Sequence, residues 1–177
     1  MTEPQENYVA GQVLLSYKDY IKKQYGQEGI NNLKSALKFD IMQVTVERKY
    51  PSSYVFSCMD YIQVTYGREE LFKMGRFSLQ NIGAKRYLTR FFTPQKILDR
   101  IIESVPKVNY TVKLNIEYME NGAIVTFLNP ELNEYQCNYW HGMLQGVFDM
   151  TKTKGTIEVD ISRVITDKIV IYTMKWI

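Results

Sequence analysis

The sequence predicts an α+β fold in which N-terminal helices pack with a four-stranded antiparallel sheet that has one crossover helix. Apolar residues recur at helical spacing through most of residues 8–105, and the spacing changes to a period of two from Val108 onwards. A long apolar helical segment then separates two pairs of alternating segments. The length of 177 residues indicates a single domain over 1–177, with a helical part at 8–105 and a sheet and helix part at 108–177.

The helical part begins with an amphipathic segment over 9–25, whose apolar side chains recur at positions 13, 14, 17 and 21. Gly26 fits a C-cap, and a second short helix carries Ile30, Leu33 and Leu37 on one stripe. Residues 39–47 remain ambiguous, because their β-branched side chains favour a strand while their apolar spacing is irregular.

Further helices are predicted before the sheet. Tyr50-Pro51-Ser52-Ser53 fits a helix start, and Thr93-Pro94 supplies an N-cap followed by a proline suited to the first helical position. These predicted helices cover 54–66, 69–75, 87–92 and 95–104.

The strands are predicted from strict alternation of apolar and polar residues. The first covers 108–118, and Asn121-Gly122 is a favoured pair for a tight hairpin turn. The other strands are predicted at 123–128, 156–163 and 169–176, and the crossover helix at 134–150. Gly142 and Gly146 lie four residues apart on that helix, which lets another backbone approach closely.

Composition argues against several classes of function. The formal net charge of +3 is too small to indicate nucleic-acid binding, and Asp99 interrupts the basic stretch over 85–100. Cys58 and Cys137 fit no metal spacing, so we expect reduced thiols and a cytoplasmic location. No signal peptide and no transmembrane segment is predicted.

Three sets of short motifs resemble one superfamily. The N-terminal helix is followed by YGQEG at 25–29, and Tyr50-Pro51 is followed by MGR at 74–76. The sequence CNYWHGMLQG spans 137–146, and the last strand ends in Lys175-Trp176. Their order resembles the superfamily of haem nitric-oxide-binding domains, 4-vinyl-reductase-like domains and TRAPP vesicle-tethering subunits, with most similarity to a myxobacterial domain of unknown function.

The resemblance implies a ligand-sensing or scaffolding domain, often dimeric, rather than an enzyme. Haem-binding members carry a proximal histidine on a helix ahead of the hairpin and a Tyr-x-Ser-x-Arg clamp for the propionates. This chain has no histidine before His141 and no such clamp, and 159–177 lacks the late cysteines of the vinyl-reductase-like branch. We therefore expect no haem and no other cofactor.

Cys137 and His141 lie four residues apart and share a helix face, which leaves three interpretations open. They form a nucleophile and its base, contribute two ligands to a metal, or are a packed thiol and a partly exposed imidazole. Carboxylates do not pair convincingly, and no phosphate loop or catalytic triad order is present, so an enzyme is not expected.

The candidate ligand site lies between the helices and the sheet, the usual position of ligands in the resembled superfamily. Its expected residues are Phe91, Phe92, Leu114, Ile116, Tyr139, Trp140, His141 and Met143. Such an apolar wall favours a lipid-like or aromatic ligand, with Tyr139 or His141 supplying the orienting hydrogen bond.

The sequence thus predicts a non-enzymatic cytoplasmic sensor or adaptor that binds an apolar or amphipathic small molecule and signals through protein contacts. One alternative is a structural interaction subunit resembling the TRAPP components, and another is a haem- or metal-dependent sensor or enzyme. A homodimer or a protein partner is expected at the N-terminal helices, because Tyr8, Tyr17, Tyr20 and Tyr25 exceed what one core needs.

Overall fold

The computed structural model describes residues 7–82, 92–108, 112–129 and 132–177, without the side chains of 81, 82, 106 and 108. Helices α1 to α5 comprise Gly11–Ala36, Ser52–Tyr66, Arg68–Ile82, Pro94–Val108 and Glu134–Thr151. Strands β1 to β6 comprise Tyr8–Ala10, Lys49–Pro51, Lys113–Met119, Gly122–Leu128, Gly155–Asp160 and Ile169–Trp176. The predicted α+β fold class is confirmed.

The main sheet has the strand order β3-β4-β6-β5, and every neighbouring pair is antiparallel. Helix α5 connects β4 to β5, as predicted, and begins with a capping box between Asn133 and Gln136. It packs on the inner face of the sheet, where the Tyr172 hydroxyl donates a hydrogen bond to the Cys137 carbonyl oxygen at 2.7 Å. This face and the helices enclose one apolar core.

The first predicted boundary of the sheet was wrong. The alternation was expected to begin a strand at Val108, but α4 continues to Val108 and β3 begins at Lys113. Val105 and Val108 extend the helical spacing of the apolar residues in α4, so two periodicities overlap at this boundary.

The predicted break between two helical segments at Gly26 is confirmed, and both segments belong to the kinked helix α1. The chain bends at Gly26, whose φ of 65° is non-helical, and then resumes a helix that ends at Ala36. Positive φ is a conformation that glycine adopts without steric cost. The ambiguous segment 39–47 contains a short 3-10 helix, Ile41–Gln43, and no strand.

Strands β1 and β2 form a small antiparallel pair that the sequence did not indicate, since three residues are too few to show a period. Helix α3 extends beyond the predicted 69–75 to Ile82. Of the predicted helix at 87–92, residues 87–91 lie outside the described part of the chain.

Helices α3 and α5 cross with their backbones in contact. A Cβ atom on Gly142 would lie 1.9 Å from the Phe72 carbonyl oxygen, and one on Gly75 would lie 2.0 Å from the Tyr139 carbonyl oxygen. The close approach expected at Gly142 is therefore confirmed. Beside the crossing, the Arg76 guanidinium contacts the Asp149 carboxylate at 2.6 Å.

The N-terminal tyrosines have a different role from the expected one. Tyr17 and Tyr20 are buried in the chain's own core, and the Tyr25 ring stacks on Tyr66 with centroids 3.9 Å apart. These three tyrosines therefore give no reason to expect a partner at the N-terminal helices, and a partner there stays a prediction. None of the helices that the structure describes is long and apolar enough to span a membrane.

Candidate functional site

Helix α5 directs the expected site residues towards three different neighbours. The Tyr139 ring stacks on Tyr17 of α1 with centroids 5.9 Å apart, whereas Trp140 contacts Phe127 of β4 at 4.5 Å. The His141 ring lies 5.0 Å from Phe72 of α3. Successive residues of an α-helix point about 100° apart, so neighbours in sequence face different layers.

Tyr139 and Met143 lie within the core, each with 5–6% of its surface exposed. Burial raises the pKa of the Tyr139 hydroxyl above its ordinary value, so this group is a neutral hydrogen-bonding group at neutral pH. Both side chains contribute to packing in the structure.

His141 and Cys137 are packed rather than activated. Burial lowers the pKa of the His141 imidazole and raises the pKa of the Cys137 thiol to about 11. The Cys137 thiol donates a hydrogen bond to the Asn133 carbonyl oxygen at 3.4 Å. Because a thiol attacks as its thiolate, this environment does not favour a nucleophile.

Metal binding finds no support in the described part of the chain, where no three His, Cys, Asp or Glu side chains come together. Cys58 is also buried, and burial raises its thiol pKa. A closed metal site needs about four ligands, so isolated thiols do not form one.

Side chains on the inner face of the sheet are fully buried at its centre and partly exposed on strand β3. Leu114 pairs with Phe127 and Ile116 pairs with Val125, so the expected inward direction of both β3 residues is confirmed. Phe127 and Val125 are fully buried, whereas Leu114 and Ile116 are only half-buried. An apolar surface is therefore accessible at this edge of the sheet.

Helix α4 packs against β3 beside that surface. The Tyr118 hydroxyl, on β3, donates a hydrogen bond to the Asp99 carboxylate at 2.5 Å and also lies 3.3 Å from the Gln95 carbonyl oxygen. Phe92, just before α4, is half-buried against the core, with the Arg100 guanidinium 4.3 Å from its ring centroid. Phe91, the other expected residue of this segment, lies outside the described residues.

A buried carboxylate in the helical layer was not predicted. The Tyr20 hydroxyl donates to Glu70 at 2.5 Å, and the Lys73 ammonium contacts the same carboxylate at 3.3 Å. Burial alone would raise the pKa of Glu70, but hydrogen bonds from Tyr20, Tyr25 and Lys73 outweigh it and lower the pKa. In the sequence Glu70 resembles an ordinary acidic residue at the start of a helix. The only signal of its hydrogen-bond partner was the position of Tyr20 on the apolar face of α1.

Similar structures indicate what kind of fold this is. An H-NOX protein from S. oneidensis in the Fe(II)NO ligation state matches with a TM-score of 0.77 and 14% identity, over 95% of this chain and 99% of that one. An Fe(II) unliganded H-NOX protein from K. algicida matches with a TM-score of 0.71 and 12% identity, over 95% and 96%. The IWP-051-bound H-NOX from Shewanella woodyi in the Fe(II)CO ligation state matches with a TM-score of 0.66 and 14% identity, over 93% of each chain.

The chain therefore has the H-NOX fold over nearly its whole length, and the resemblance noted in the sequence is confirmed for the fold. No family model matches the sequence. No curated protein sequence matches it either.

The residues of this chain do not fit a haem with an axial ligand from α4. Haem iron needs an axial His, Cys, Met or Tyr, and 94–108 contains none of these residues. A porphyrin-sized gap would leave its walls accessible to water, whereas Leu98 is 0% and Leu144 is 1% exposed. The one histidine lies instead on α5 against Phe72.

Proposed function

We propose that the chain is a non-enzymatic sensor domain, in which binding of a small molecule between the helical layer and the sheet is passed on through protein contacts. The observation that carries this proposal is the whole-chain similarity to H-NOX structures, two of which have NO or CO bound in their described ligation states. Fold similarity alone does not identify a ligand, so the class of ligand must be inferred from the residues of the site.

The binding surface that we propose lies at the open edge of the sheet. Leu114 and Ile116 are half-buried there, and Phe92, which precedes the helix α4 that packs against β3, is half-buried as well. Trp140 of α5 lies behind this surface, against Phe127, which pairs with Leu114. The other expected residues of α5 point elsewhere, Tyr139 towards α1 and His141 towards α3. Concave apolar surfaces with a few polar groups are typical ligand sites.

Two ligand classes remain, and different observations favour them. The comparisons favour haem over the apolar molecule expected from the sequence, since the similar structures are Fe(II) proteins. The residues favour an apolar or amphipathic molecule, because α4 offers aliphatic side chains and no axial ligand. A structural subunit without any ligand, as in the TRAPP-like alternative, has support only from the close packing around Leu98 and Leu144.

An absorption spectrum separates the two ligand classes. The protein is purified after expression with added iron and haem precursor, and iron is measured per chain. An intense Soret band with one iron per chain, retained through gel filtration, would assign haem. No Soret band, together with a non-metal mass adduct in native mass spectrometry, would assign the apolar ligand.

A probe titration then tests the proposed surface. We expect 1-anilinonaphthalene-8-sulfonate to bind the wild type and to lose its binding in Ile116→Trp, because the larger ring fills the half-buried opening. The matched control is Val64→Trp, which changes a side chain that is 85% exposed on α2. Equal probe binding in all three proteins would contradict the proposed surface, and absence of any adduct, haem or probe binding would favour the structural alternative.

A further inference from the structure

The outer face of the main sheet carries an apolar patch on its two central strands. The patch comprises Ile124, Thr126 and Leu128 of β4 and Ile169, Ile171 and Thr173 of β6. In the antiparallel register Leu128 pairs with Ile169, Thr126 with Ile171, and Ile124 with Thr173. The six side chains therefore form one continuous surface, which we call the outer patch.

The outer patch faces away from the helices of the described chain. Side chains on the opposite face of the same strands contact α5, since Phe127 lies against Trp140 and Tyr172 bonds to the Cys137 carbonyl oxygen. A sheet with one solvated face normally presents polar residues there. Four half-buried aliphatic side chains at the centre of a solvated face are instead typical of a protein contact.

Charges beside the outer patch favour a second copy of this chain as the partner. On β3, Lys113 pairs with Leu128 at one end of the patch and Glu117 pairs with Ile124 at the other end. Consider a two-fold axis that lies between the two facing sheets, runs perpendicular to the strands and passes over Ile171. This axis would bring Lys113 opposite Glu117 of the second copy, and would place Ile124 opposite Leu128. A partner whose contact surface carried charges of a single sign would be repelled by Lys113 at one end or by Glu117 at the other.

We propose that the outer patch is the interface of a face-to-face homodimer related by this axis. Two sheets packed face to face interdigitate their side chains about 10 Å apart, and a two-fold interface uses the same surface on both copies. The axis also brings Asp160, which pairs with Ile171 on the edge strand, towards its counterpart. This juxtaposition of two carboxylates weakens the dimer, which makes the axis testable.

Light scattering over a range of protein concentrations tests the proposal. We expect a species of twice the 20.8 kDa chain mass that dissociates on dilution. Ile171→Lys should abolish it, whereas Val64→Lys, on an exposed site of α2, should leave it unchanged. Circular dichroism of both variants checks that the fold is retained, and the charge variants below provide a test that does not depend on Ile171.

Charge reversal tests the orientation of the two copies. Lys113→Glu and Glu117→Lys should each weaken the dimer roughly tenfold, and the double variant should recover to within about twofold of the wild type. Asp160→Asn should strengthen it. A monomer at every concentration, a dimer that survives Ile171→Lys, or a double variant weaker than both single variants would overturn the proposal.

Discussion

Gly75 and Gly142 meet where α3 crosses α5, and each occupies the position at which a side chain would collide with the facing backbone. The Gly142 Cβ position lies 1.9 Å from the Phe72 carbonyl oxygen. Backbone cannot rotate away as a flexible side chain does, so the helices must separate if either glycine gains a methyl group. This crossing fixes the distance between the helical layer and α5.

Gly142→Ala should therefore destabilise the protein, by about 1–3 kcal/mol or more, as expected for overpacking against backbone. Gly146→Ala is the matched control on the same helix, because its Cβ would lie 3.2 Å from the Leu79 side chain and 3.5 Å from the Arg76 carbonyl oxygen, without a backbone collision. Alanine is the better helix former by about 1 kcal/mol, so this control should be neutral or stabilising. Urea unfolding measures both, and equal midpoints for the two variants would contradict the backbone contact.

Met143→Trp tests whether the core beside α5 is solid. Met143 is 6% exposed, so we expect the larger side chain to lower the melting temperature, with a cost of about 1–3 kcal/mol. Val64→Trp, at the exposed surface, should melt as the wild type does. An unchanged melting temperature for Met143→Trp would reveal free space beside α5 and would move the proposed ligand deeper into the core.

Glu70 should make the protein less stable in acid. Its pKa in the folded protein is lowered below the ordinary value of 4.5, so its contribution to stability is present above that pH. The contribution is lost as the pH falls from about 4.5 through the lowered folded value. Urea midpoints measured from pH 7 to pH 3 should fall less steeply for Glu70→Gln than for the wild type. Glu103→Gln, at an exposed position of α4, is the control outside this cluster. A wild-type slope in Glu70→Gln would rule out this role.

His141 should titrate below the ordinary imidazole range. Burial lowers its pKa below 6.5, so the folded protein favours the neutral ring. The associated stability is present above pH 6.5 and is lost as the pH falls below it. Because the chain has one histidine, a single imidazole resonance can be followed by NMR. A midpoint at or above 6.5 would contradict the packing of this ring against Phe72.

Periodicity was sufficient to predict most of the architecture. Strand β6 was predicted with the bounds 169–176 that the structure has, because its alternation has no competing pattern. The boundary at Val108 failed, since helical and alternating spacings coincide there. Strands β1 and β2 escaped prediction, because their pairing depends on a long-range contact between Val9 and Tyr50 rather than on local pattern.

The residue types of the candidate site could be predicted from the sequence, but the directions in which their side chains point could not. Tyr139 and Trp140 are adjacent in sequence, and only the position of α5 between two layers decides that one faces α1 and the other faces β4. Glu70 shows the same limit, since its hydrogen bond from Tyr20 joins residues 50 positions apart. Local sequence carries no information about which of two distant helix faces will meet.

Among the strands that the structure describes, β3 lies at the edge of the main sheet, with β4 as its one neighbour. Amide protons on the free side of an edge strand have no partner strand and exchange rapidly with deuterated solvent. We expect β3 to separate from β4 more readily than β4 separates from β6, because Leu114 and Ile116 of β3 are only half-buried. Access to the interior would then be governed by how often this hairpin opens, so that the rate of ligand entry would vary with temperature and denaturant as local unfolding does.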